Sequence, residues 1–156
     1  MMFSNINYTL IFMFIESFIL QYFVMSYIMV DKFKNIENST GKIYISLIMS
    51  NLMCIVELIM NDVHNMIFSK YYYLFFVLFL IIVYLLYRFQ FGVNDKNYIK
   101  EMIEHHSMAI LTSGEILKKT KDPMVKSLAE NIVISQNKEI ENMNKLLEEL
   151  EKSKKK

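Results

Sequence analysis

Residues 71–110 read YYYLFFVLFLIIVYLLYRFQFGVNDKNYIKEMIEHHSMAI, and the fold turns on the change of pattern inside them. Tyr71 to Tyr87 is 17 residues without a charge, closed by Arg88. A helix needs about 20 mostly apolar residues to cross a hydrocarbon core, so this stretch reads as a transmembrane span. After Gly92 charge returns, and apolar residues recur at helical spacing: Tyr98 or Ile99, Met102, His105 or His106, Ala109 or Ile110, Ser113, and Ile116 or Leu117. One chain therefore holds a membrane part, residues 1–92, and an amphipathic helical part, residues 93–156.

Two further spans precede the third. Tyr8 to Val30 offers 23 residues with Glu16 and Gln21 as its strongly polar members, and Ile43 to Met60 offers 18, interrupted by Asn51 and Glu57. The predicted spans are about 8–30, 43–60 and 71–87. The first lacks the basic leader and small-residue cleavage site of a signal peptide. Lys32, Lys34 and Lys42 follow the first span and Arg88, Lys96 and Lys100 follow the third, whereas the opposite side carries Lys70. By the positive-inside rule this puts the C-terminal part in the cytoplasm.

Composition narrows the function. The chain of 156 residues is 54% hydrophobic and 21% charged, with a net charge of +1, so no basic stripe for nucleic acid is expected. A single cysteine, Cys54, excludes an intrachain disulfide. One proline and three glycines suit long helices. No nucleophile–base pair, Gly-rich phosphate loop or redox cysteine pair is visible, and no enzyme is expected.

The helix after Gly92 is predicted over about 95–119, with Asp95 as N-cap or first-turn acid. Asp122-Pro123 opens the next, over about 123–150, with Asp as cap and Pro at the first helical position. Val125, Leu128, Ile132, Gln136, Ile140, Met143, Leu147 and Leu150 lie on one seam of it. A turn this short predicts an antiparallel hairpin. Two helices alone bury too little to be stable, so a partner is expected: a second copy, as a homo-oligomer in which two hairpins complete a four-helix bundle, or another protein. The end, Lys154-Lys155-Lys156, reads as a solvated tail, with contact to anionic lipid as the alternative.

His105 and His106 carry the chemistry. Adjacent helical residues sit about 100° apart, so the rings flank the face that holds Met102 and Ala109. Met108 adds a thioether beside them. With the turn centred near residue 121, His105 faces Gln136, Met102 faces Glu139 and Tyr98 faces Met143. Neutral imidazole with thioether suits Cu(I), and carboxylates would admit Cu(II). A di-iron site needs Glu-x-x-His on paired helices, and here Glu101 precedes His105 by four. The candidate metal ligands are His105, His106, Met102, Met143, Met108 and Glu139, with Gln136 orienting a ring. The other reading is a structural or assembly protein in which the histidines serve packing. Cys54 with Met49, Met53 and Met60, and Asp62 with His64, are weaker soft-metal and surface candidates.

The pattern Asp95…Tyr98…Met102-Ile103-x-His105-His106-x-x-Ala109-Ile110, then Asp122-Pro123-x-Val125-x-x-Leu128-Ala129-x-x-Ile132-x-x-x-Gln136-x-x-Glu139-Ile140-x-x-Met143, resembles the DUF305 family. The resemblance covers about residues 95–150, and some relatives also carry three N-terminal spans. It implies a ferritin-like helical domain linked to copper binding and tolerance. Its metal-associated positions are His105 and His106, with Met102, Gln136, Glu139 and Met143 matching the motif. Many relatives have proline where Glu104 stands and a methionine near Thr112. The resemblance also implies an extracytoplasmic domain, against the lysine count, which leaves the side of the membrane open.

Overall fold

The computed structural model describes residues 3–153, and its regular elements there are all helical: α1 (Phe3–Ile19), a π-helical turn (Leu20–Val24), α2 (Met25–Met29), a 3₁₀ turn (Phe33–Asn35), α3 (Thr40–Asn65), α4 (Lys70–Arg88), α5 (Asp95–Leu117) and α6 (Pro123–Ser153). The lysine tail at 154–156 lies outside the described residues. The chain divides into two compact units. One holds the residues up to Met25 with Thr40–Gly92, and the other holds Ser26–Ser39 with the residues from Val93 onward.

Three helical stretches are long and apolar enough to cross a membrane: Ile6–Met29, Thr40–Asn65 and Lys70–Arg88. They extend the predicted spans by a few residues at most ends. The second gains most at its C-terminal end, and Asp62 shows why. Its carboxylate accepts from the Ser69 amide at 2.7 Å and the Ser69 hydroxyl at 2.8 Å, and its carbonyl accepts from the Ile67 amide. Asp62 thus anchors the turn into α4, while Met66, with φ 51°, reverses the chain.

The first unit turns its polar groups inward. Ser46, Ser50, Asn51, Cys54 and Leu58 are fully buried, whereas Phe12, Phe75, Leu78 and Ile82 are exposed. The interior donors find backbone carbonyls. Asn51 Nδ2 donates to Phe76 O at 3.0 Å, Ser50 Oγ to Ser46 O at 2.7 Å and Cys54 Sγ to Leu10 O at 3.4 Å. In lipid, small and polar residues join helices while apolar ones face the chains. Asn51 thus bonds α4, while Glu16 is exposed on α1. One candidate is corrected. Met49, Met53 and Met60 face outward, so they form no ladder with buried Cys54.

In the second unit α5 and α6 pack along their length. Ile99, Ile103 and Ile110 meet Ile140 and Leu147, with Met143 and Leu150 against them. Lys96 pairs with Glu151 and His106 with Glu139 across the two helices. Asn94, not Asp95, caps α5 by accepting from the Asn97 amide at 3.0 Å, and Asp95 is the first-turn acid. Asp122 caps α6 as predicted, accepting from the Met124 and Val125 amides at 2.8 and 3.1 Å.

Candidate metal centre

The apolar line of α5 is Ile99–Ile103–Ile110, one residue round the helix from the Met102-centred stripe expected from periodicity alone. The reason is a second neighbour. The segment 26–39 lies on another side of α5, and a row of polar residues faces it. Glu104 Oε1 accepts from the Ser26 hydroxyl at 2.5 Å, and Glu104 Oε2 from the Glu37 amide at 3.0 Å. Ser107 Oγ accepts from Asn35 Nδ2 and from the Asp31 amide, both at 3.1 Å. Lys100 Nζ reaches Glu37 Oε2 at 3.2 Å. Glu104 and Ser107 are buried, and sequence reading missed their role. Its one signal was a polar row, Lys100, Glu104 and Ser107, at three-to-four spacing on a helix whose other face is apolar.

The histidines part as helical geometry requires. His105 is exposed, and His106 is half-buried on the side of α6. His106 Nδ1 is shut from solvent and lies 3.0 Å from Glu139 Oε2, without the alignment of a hydrogen bond. Glu139 therefore stands against His106 rather than opposite Met102. The helix pair is offset by about one turn from a mirror about residue 121, because the links at 96–151 and 106–139 both sit further along α6 than that mirror allows. The expected pairing of His105 with Gln136 is displaced accordingly. Met102, Met108 and Gln136 are half-buried, and Met143 packs on the core between the helices.

Among the described residues no group of three or more His, Cys, Asp or Glu side chains converges on one cation position. A carboxylate 3.0 Å from His106 Nδ1 could orient the ring and leave Nε2 for a metal. A copper ion there would draw on His106, with Met102 and Met143 as candidate thioethers and His105 on the outer flank.

Glu101 adds an electrostatic feature. Burial raises its carboxyl above the usual range; the charge of His105 opposes the shift and that of Glu104 reinforces it. An acid whose pKa is raised on folding binds more protons folded than unfolded, so its contribution falls as pH rises from about 4.5 through the folded value. Metal-free protein is expected to lose protection of α5 amides over that pH window. Hydrogen exchange of the parent against Glu101→Gln checks this, since the variant should lack that component.

A family model described as Domain of unknown function (DUF305) matches residues 93–156. Over 143 residues the chain is 35% identical to an uncharacterized protein of Acanthamoeba polyphaga mimivirus, covering 92% of this chain and 93% of that one. No solved structure matches. The domain match takes in both packed helices and the histidine pair, and the viral relative is similar through the apolar helices as well: the chain belongs to the DUF305 family.

Proposed function

We propose that this chain is a membrane-anchored, non-catalytic metal-binding protein that buffers, delivers or confers tolerance to copper through a His/Met site. The observation that carries the reading is His106, whose Nδ1 stands 3.0 Å from Glu139 Oε2 across the two helices; Met102 on α5 and Met143 on α6 are the thioethers the reading would recruit. Soft sulfur and neutral imidazole favour Cu(I). Titration of the full chain in detergent with Cu(I) against a chelator competitor tests it. His105→Ala/His106→Ala is expected to weaken binding by at least about 10-fold, the scale on which even ligand-orienting groups act. Equal binding by parent and variant would end the reading.

The second reading, an assembly protein, draws on the apolar side chains left exposed on the packed helices, among them Ile116, Leu128 and Leu146. In it α5 and α6 form a hairpin that pairs with a second copy, completing a ferritin-like four-helix bundle. Sedimentation of the full chain with and without copper separates the two. Association that ignores metal, with no metal bound, favours assembly.

Three crossings, multi-pass, put segment 26–39 and the helices after Gly92 on one side, since two spans separate them. The lysines of both lie on that side, and the positive-inside rule makes it the cytoplasm. Ser135→Cys with Cys54→Ala is expected to resist a membrane-impermeant maleimide in intact cells. Labelling from outside would move the domain to the extracytoplasmic side.

A further inference from the structure

The two acids at the start of the histidine segment are treated differently by the fold. Both Glu104 oxygens accept hydrogen bonds from segment 26–39. Glu101 is only 9% exposed, and its Oε2 is shut from solvent without a hydrogen-bond partner. The basic residue next to it in sequence, Lys100, is committed to Glu37. A buried carboxylate oxygen without a hydrogen-bond donor is costly, so Glu101 Oε2 is an acceptor with no donor assigned to it, in reach of further positive charge.

His105 stands where such a partner could be shared. It follows Glu101 by four residues within α5, so the two side chains lie on one face a single turn apart. It is exposed and feels the Glu101 charge. Helices use this four-residue spacing to present two ligands to one metal ion. We infer that Glu101 and His105 form a two-residue clip for a divalent cation, one carboxylate oxygen and one imidazole nitrogen, that extends the copper site to Cu(II). The inference rests on the metal-binding reading of the histidine pair and adds a ligand to it. The two histidines then serve different donor sets: His106 with the thioethers of Met102 and Met143, and His105 with the oxygen of Glu101. Hard oxygen with imidazole suits the oxidised ion, and thioether the reduced one.

The test uses the full chain in detergent, with aqueous Cu(II) and Cu(I) each titrated against a competitor, and electron paramagnetic resonance of the Cu(II) form. Glu101→Gln, nearly isosteric, is expected to weaken Cu(II) by about 10-fold or more, the scale of losing a group that supports a metal. It should also change the Cu(II) spectrum and leave Cu(I) affinity unchanged within error. Parent-like Cu(II) affinity and spectrum in Glu101→Gln would overturn the clip. If His105→Ala/His106→Ala still loses copper in that case, the His/Met site survives without Glu101. If the double variant also binds as the parent does, the metal reading itself has failed. Should Glu101→Gln not fold, His105→Ala at the exposed end gives the same readout: an unchanged Cu(II) spectrum overturns the clip, and a changed one with weaker Cu(II) binding supports it.

Discussion

Ile103→Ala is expected to destabilise the packed pair α5 and α6 by about 2–5 kcal/mol. Ile103 is 1% exposed and sits among Ile99, Ile110, Ile140 and Leu147. Truncation removes the transfer free energy of the lost methyl and methylene groups and leaves a cavity between two helices. Helix α6 has little else to lean on, since it buries Ala129, Ile140 and Leu147 and leaves most of its surface in solvent. Hydrogen exchange of α5 and α6 amides in the full chain is the measurement. At about 1.4 kcal/mol per factor of ten, protection should fall by roughly 30-fold or more. A change below about threefold, some 0.6 kcal/mol on the same scale, would mean that the helices are held by something other than this core. The amides of α4 should be unaffected.

Glu104→Ala should cost about 1–3 kcal/mol for each buried donor it strands. The Ser26 hydroxyl and the Glu37 amide both give their protons to this carboxylate. Glu104→Gln retains one carbonyl oxygen as acceptor and should cost distinctly less. The effect is local: amides of residues 31–39 should exchange faster in Glu104→Ala, while those at the C-terminal half of α6 keep their protection. Uniform loosening of α6 would instead make Glu104 a general core residue. Glu104 is one of the groups that fasten segment 26–39 to α5, beside Ser107 and Lys100. A proline there would remove a helical N–H within α5 and crowd the preceding turn, and it would offer no acceptor to Ser26 or Glu37.

The helices themselves were legible in the sequence because their signals are local. Seventeen uncharged residues from Tyr71 to Tyr87, an Asp122-Pro123 start and a three-to-four apolar rhythm each depend on neighbours along the chain. The histidine pair was legible for the same reason, since the angle between adjacent helical residues is fixed by the backbone. The family likeness, carried by the same residues, is matched over 93–156.

What needed the tertiary structure is whatever depends on partners distant in sequence. Glu139 was expected opposite Met102 and lies against His106, because the stagger of two packed helices is set by how Ile103 and Ile140 interlock and not by counting from the turn. Glu101 and Glu104 are three residues apart and look alike in sequence. Segment 26–39 supplies donors to one, and Oε2 of the other has none. Periodicity reads one apolar stripe per helix, whereas α5 serves two neighbours, an apolar helix and a polar segment. The sequence by itself determined the helices, the apolar spans and the His and Met side chains from which a metal site is proposed, since these follow from local backbone geometry and side-chain chemistry. Only the tertiary structure decided which acid stands beside which histidine, because burial and long-range hydrogen bonds belong to the packed chain.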